Sequence, residues 1–226
     1  REKLENHYQD MQDIEFTIQD NKLWMLQTRI GKRNGGAAIR IAIEMYEEGT
    51  ISKEEAILRV SPDQLDEIMH PIIDPKDEEN SEIITIGLPA GPGGGCGQIV
   101  LTADDAEKWT KSGSKVILVR TETSPEDVHG MHVAEAVLTA RGGMTSHAAL
   151  VARGWGKCCI VGCMDLNIDV ENKSFSINNN IFKEGDWISL NGTSGIVYNG
   201  KLNLIKPDLD KNLYYKKLME LINKIK

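Results

Sequence analysis

Residues 134–154 constrain this chain more than any other stretch. Ala134-Glu135-Ala136-Val137-Leu138 reads as an apolar strand that runs into Gly142-Gly143. Thr145 or Ser146 can then cap a short helix ended by Gly154, with His147 in its first turn. A strand–glycine turn–helix unit belongs to a packed α/β layer. It also leaves unpaired N–H groups and the positive end of the helix dipole at one point, which favours a bound anion. Paired glycines let backbone approach such an anion without a Cβ in the way. A His here has two readings: a nucleophilic ring nitrogen beside a phosphate cradle, or a residue that caps or packs at a helix start. No second His or carboxylate stands at metal-ligand spacing, so zinc is the weakest reading.

The 226 residues allow one large domain or two small ones. Hydrophobic residues at 40% and charged residues at 27% place the chain with ordinary globular proteins rather than disordered ones. The 26 basic and 34 acidic side chains give −8. Seven Lys after residue 200 face only Asp208, Asp210 and Glu220, which leaves the rest of the chain at −12. An acidic body argues against nucleic-acid binding, because phosphate neutralisation needs a basic face. No apolar run reaches the roughly 18 residues of a membrane span, so no membrane partner is expected, and no signal-peptide pattern is present. Cys96, Cys158, Cys159 and Cys163 form no C-x-x-C pair and suit a reducing compartment as buried small hydrophobes. The expected location is the cytoplasm, with an organelle compatible. Starting at Arg1 rather than Met, the chain is expected to be cut from something longer.

Ahead of residue 83 the pattern is different. Residues 1–12 read as a helix tail. Asp13–Gln19 and Lys22–Thr28 alternate with period two around Asp20-Asn21, a β-hairpin. A hairpin alone is marginal in water, so it should belong to a larger sheet. Residues 35–48 place Ala38, Ile41, Ala42, Met45 and Tyr46 on one helical face. Ser52–Glu55 and Ser61–Gln64 each read as a capping box opening a short helix. The stretch 72–82, with five acids and Pro75, has the composition of a linker. From Ile83 short β runs alternate with helical stretches at 103–111 and 146–153. The glycines concentrate at Gly91–Gly97 and Gly142–Gly162, where backbone is expected to approach phosphate.

Gly142-Gly143-Met144-Thr145-Ser146-His147-Ala148-Ala149, followed by Val151-Ala152-Arg153-Gly154-Trp155-Gly156-Lys157-Cys158-Cys159 and Gly162-Cys163, resembles the phosphohistidine motif of the pyruvate, phosphate dikinase family. Phosphoenolpyruvate synthase and the first enzyme of the sugar phosphotransferase system share the Gly-Gly-x-Thr-x-His core. They typically lack Met144 and the Gly-Lys-Cys-Cys run. Val119–Asp127 is similar to the family's strand and turn ahead of the motif. Asp13–Ile18 and Met25–Arg29 resemble the closing strands of its ATP-grasp-type nucleotide-binding domain. The chain departs from the family at Ala90-Gly91-Pro92-Gly93, where Ala-Ser-Pro-Gly is usual; Gly91 lacks a hydroxyl, and Gly93-Gly94-Gly95 should loosen the loop.

The resemblance implies an α/β fold. A compact swivelling β/β/α phosphohistidine domain over 83–200 follows the tail of a nucleotide-binding domain (1–30) and a helical linker (31–82), and 201–226 begin a second linker. It implies that His147 is the nucleophile, with Gly142, Gly143, Thr145 and Ser146 supporting the phosphoryl group. Glu15 and Gln27 would hold Mg²⁺ on ATP, and Arg29 would touch the phosphates. On the residues alone, a solvated hairpin face is the other reading of these three. Thr145 is the family's regulatory phosphorylation position in plants. The implied reaction interconverts ATP, phosphate and pyruvate with AMP, diphosphate and phosphoenolpyruvate, in a homodimeric full-length protein. The alternatives are a phosphoenolpyruvate synthase, with water as acceptor, and a stand-alone phosphocarrier module. The implied hinges are 72–82 and 200–207.

Overall fold

Val116-Ile117-Leu118-Val119 are all fully buried, and alternate residues point to opposite faces of a sheet covered on both sides. In the computed structural model, which describes residues 1–178 and 180–224, this strand lies inside an eight-stranded sheet. The order across the sheet is Ile83–Ile86, Ile196–Asn199, Trp187–Asn191, Gly94–Val100, Val116–Arg120, Ala136–Thr139, Cys158–Val161 and Leu88–Gly91. The four strands from Gly94–Val100 to Cys158–Val161 run parallel, and the strands outside them pair antiparallel.

On one face Val116, Leu118, Val137, Cys159 and Val161 pack with Ala106, Met131, Ala148, Ala149 and Ala152 of the helices Ala103–Lys111, Val128–Val133 and His147–Gly154. On the other, Ile117, Val119, Leu138, Cys158 and Ile160 pack with Phe175, Ile177 and Phe182 of a small antiparallel sheet, Asn167–Asp169, Ser174–Ile177 and Asn180–Lys183. The layers are therefore small sheet, large sheet and helices. The strand Leu88–Gly91 contains Pro89, which is tolerated because this strand is the edge of the sheet.

This unit spans Met69–Pro207 rather than beginning at 83. The acidic stretch expected as a linker and hinge is built into it. Ile72–Ile73 pairs with Leu204–Ile205. Glu78 Oε1 accepts hydrogen bonds from Tyr198 Oη (2.7 Å) and Asn191 Nδ2 (2.6 Å), and Asp77 Oδ2 accepts from Asn203 Nδ2 at 2.9 Å. Residues 200–207, the other expected hinge, lie in the same unit. Asp77, Glu78 and Glu82, whose Oε2 accepts from Asn199 Nδ2 at 2.8 Å, are partnered side chains rather than a solvated spacer. The glycine-rich loop is also firmer than expected, since Gly94 and Gly95 belong to the central strand. A Cβ on Gly91 would stand 2.1 Å from the Lys157 carbonyl oxygen, and one on Gly95 would stand 2.5 Å from the Ala136 Cβ. These glycines serve strand packing.

The second unit comprises Arg1–Ile68 and the residues from Asp208 onward. Ile39, Ala42, Ile43 and Met45 of the helix Gly35–Glu47 form its core with Ala56, Val60, Leu218 and Leu221. Leu218 and Leu221 come from Leu213–Asn223, so the expected start of a second linker returns to complete this helical core. The hairpin Gln12–Gln19 and Lys22–Ile30 forms a two-stranded sheet of its own, with Phe16, Ile18, Leu23 and Met25 exposed. At its base Asp10 receives two hydrogen bonds from Arg33, at 2.8 and 2.9 Å, and lies 3.6 Å from Arg59.

Candidate functional site

The end of the strand Ala136–Thr139 delivers the chain to residues 140–146. Cys163 N donates to the Thr139 carbonyl at 3.0 Å, and Thr139 Oγ1 turns back to the Arg141 carbonyl at 2.7 Å. Gly142 then takes φ +108°, a conformation that an L side chain rarely adopts, and a Cβ there would stand 2.9 Å from the Ser146 Cβ. Gly143 has nothing within 4 Å of the corresponding position, so the backbone there faces open space. Ser146 N donates to the Gly143 carbonyl at 2.9 Å, which closes the turn. Ser146 is also the N-cap of the helix His147–Gly154, its side chain accepting from Ala149 N at a long 3.4 Å. From the far end of that helix Arg153 Nη2 donates to the Met144 carbonyl at 2.8 Å. Thr145 and Met144 are exposed on the turn.

His147 is half-buried, and its Nδ1 stands 3.0 Å from Thr123 Oγ1. Thr123 is a residue that sequence reasoning missed. Twenty-four positions separate it from His147, and only the register of the parallel strands brings the two loops together. Ala140 N donates to the Arg120 carbonyl and Arg141 N to the Thr121 carbonyl, continuing the pairing of Val116–Arg120 with Ala136–Thr139 past both strand ends. Among the described residues no hydrogen bond engages Nε2.

The hairpin holds the other expected residues. Glu15 and Gln27 are direct cross-strand partners, so they share one face. A bulge between Glu15 and Phe16 shifts the register just beyond them. Arg29 pairs with Asp13, Nη2 to Oδ2 at 2.8 Å. Glu15, Gln27 and Arg29 thus come together, in a different unit from His147. Hard oxygen donors from one carboxylate and one carboxamide suit Mg²⁺, which takes few protein ligands and completes its shell with phosphate and water.

Cys158, Cys159 and Cys163 are buried free thiols. Desolvation raises the Cys158 and Cys163 thiols to about 12, and raises Cys159 as well. They belong to the core on either side of the sheet, and among the described residues no His/Cys/Asp/Glu cluster could hold a metal.

Residues 113–195, which hold this turn and most of the large sheet's parallel strands, match the family model for the mobile domain of PEP-utilising enzymes. Residues 1–50 match the model for the AMP/ATP-binding domain of pyruvate phosphate dikinase. A chloroplastic pyruvate, phosphate dikinase of Flaveria trinervia is 54% identical over 212 residues, covering 94% of this chain and 22% of the relative. A pyruvate, phosphate dikinase of Oryza sativa subsp. japonica is 53% identical over 210 residues, 93% of this chain and 24% of its own length. The chain belongs to the pyruvate, phosphate dikinase family, and it spans about a fifth of the length of the curated relatives it matches.

Proposed function

We propose that this chain carries the phosphoryl shuttle of a dikinase interconverting ATP, phosphate and pyruvate with AMP, diphosphate and phosphoenolpyruvate. The observation that carries the reading is the pairing of Thr123 with His147 Nδ1, which leaves Nε2 without a hydrogen bond among the described residues. With Nδ1–H donating to Thr123, the Nε2 lone pair attacks the β-phosphorus of ATP, and the bond to the AMP oxygen breaks. The pyrophosphoryl-histidine passes its terminal group to phosphate, yielding diphosphate. The remaining phosphoryl goes to the pyruvate enolate oxygen, restoring the neutral ring. Each step is an in-line displacement, so the chain contributes positioning and charge neutralisation. Gly142, Gly143, Thr145 and Ser146 supply backbone N–H groups and hydroxyls to the phosphoryl oxygens.

On the hairpin, Glu15 and Gln27 would hold Mg²⁺ against the nucleotide phosphates, with Arg29 leaving Asp13 to meet them. The bound cation supplies charge neutralisation at the phosphates. Residues 1–30 then serve the nucleotide site. Residues 69–207 are the swivelling carrier, inserted between two segments of the helical unit by chain crossings near 68–69 and 207–208. Those crossings replace 72–82 as the hinge. The full-length protein would act as a homodimer. The relatives named chloroplastic make an organelle the first compartment to test.

Supplying the missing domains in trans and following label from phosphoenolpyruvate tests the whole proposal. Label that reaches His147 and passes into ATP only when AMP and diphosphate are both supplied supports a dikinase. Label passing into ATP with AMP and phosphate, without diphosphate, would replace it with a water-dependent synthase, and label that never leaves His147 would leave a stand-alone carrier.

A further inference from the structure

Asp127 is a carboxylate exposed to only 5%, and the chemistry above does not use it. We infer that Asp127 is a positioning residue for His147, acting through the loop that carries Thr123; the inference rests on the phosphohistidine reading. Residues 121–124 form no helix or strand, yet Thr123 is exposed to only 9%. An irregular loop holds a buried hydroxyl in place only if both its ends are fixed. The first end is fixed by the Arg141 N–Thr121 carbonyl bond of 2.8 Å, on the segment leading into Gly142.

The second end is fixed by Asp127. Its Oδ2 accepts from Ser124 N at 3.0 Å and stands 3.4 Å from Ser124 Oγ. Its Oδ1 stands 3.2 Å from Arg120 Nε, an ion pair rather than an aligned hydrogen bond, while Arg120 Nη1 donates to the Leu101 carbonyl at 3.1 Å. Arg120 ends the strand from which the loop departs. Asp127 therefore ties the far end of the loop back to its origin, with Thr123 held between. Removing the carboxylate frees Ser124 N and leaves a guanidinium without its counter-ion, so the loop can drift away from Nδ1. A purely structural Asp127 would only cap the turn Pro125–Asp127 ahead of the helix Val128–Val133.

A double-mutant cycle on the 226-residue chain separates the two roles. Thr123→Val, Asp127→Ala and the double variant are followed by acid-labile labelling with phosphoramidate, which loses ammonia as the new N–P bond forms. Long-range ¹⁵N–¹H spectra of the His147 ring report its tautomer. Each single change should slow labelling about tenfold, the loss of one hydrogen bond, and mix the ring tautomers. The double variant should be no slower than Thr123→Val alone. Should Asp127→Ala melt, Asp127→Asn gives the cycle for the Arg120 anchor alone, since it keeps an acceptor for Ser124 N but no charge opposite Arg120. Multiplying effects, or an unchanged ring signature in the Asp127 variants, would overturn the inference. Absent labelling of the unmodified chain would instead remove the phosphohistidine reading, and the ring spectra would still decide the role of Asp127.

Discussion

Gly142 and Gly143 are adjacent, identical in side chain and opposite in what the structure asks of them. Gly142→Ala puts a Cβ at φ +108°, 2.9 Å from the Ser146 Cβ and 3.0 Å from its Oγ. Holding a non-glycine residue in so sparsely populated a region costs about 1–3 kcal/mol. Pushing Ser146 aside forfeits an N-cap of about 1 kcal/mol, reduced here because the cap bond is already 3.4 Å. The sum is about 1–4 kcal/mol, which in a chain of this size lowers Tm by roughly 2–16 °C. Gly143→Ala meets nothing within 4 Å and keeps an ordinary φ, so its effect on stability should stay within about 0.5 kcal/mol. Thermal denaturation followed by circular dichroism measures both, and phosphoramidate labelling reports on the cradle. Gly142→Ala should melt early and label slowly. Gly143→Ala should melt with the parent, and its labelling shows whether phosphoryl oxygens use that open space. Equal losses from the two changes, or none from Gly142→Ala, would refute the geometry of the turn.

Burial raises the Asp10 carboxyl, but the hydrogen bonds from Arg33 and Met11 N and the charges of Arg33 and Arg59 outweigh it and hold Asp10 below its ordinary 3.8. A depressed carboxylate stabilises the fold above its unfolded value and loses that contribution as pH falls through the folded one. Asp10→Asn should therefore cost about 2–4 kcal/mol at pH 7, and urea titrations should show the difference shrinking below about pH 3.8. All four thiols are buried, so iodoacetamide at pH 8 should leave the folded chain unmodified and label four cysteines in urea; rapid modification of the folded chain would contradict the core placement. Limited proteolysis should cut near 68–69 and 207–208 and release a fragment that still melts cooperatively; cleavage within 72–82 instead would restore the acidic stretch as a hinge.

The elements that were legible in the sequence are those whose packing leaves a periodic trace. The helix Gly35–Glu47, the hairpin, the buried parallel strands and the turn into His147 all carry one. Leu88–Gly91 hid behind Pro89, which an edge strand tolerates and a sequence reader takes as a break. Asn167–Asp169, Ser174–Ile177 and Asn180–Lys183 hid in a polar, Asn-rich run that buries only alternate residues such as Phe175, Ile177 and Phe182. Alternation placed Gln27 and Arg29 together on their strand because it is a local property, and the register of the hairpin adds Glu15 opposite Gln27. Thr123 could not be placed, because parallel pairing brings it to His147 across a long connection. For the same reason the glycines at 91–97 were read as a stretch that approaches phosphate, when Gly91 is crowded by Lys157 and Gly95 by Ala136.

The most direct measurement is the fate of label on His147→Asn. Asn preserves a polar group of similar reach at the start of the helix but has no ring nitrogen to carry phosphorus. The parent chain, given the missing domains and labelled phosphoenolpyruvate, should take up one acid-labile, base-stable phosphoryl group at His147. The variant, melting with the parent, should take up none. Acid-labile label retained by a folded His147→Asn chain would contradict the assignment of His147 as the phosphoryl carrier.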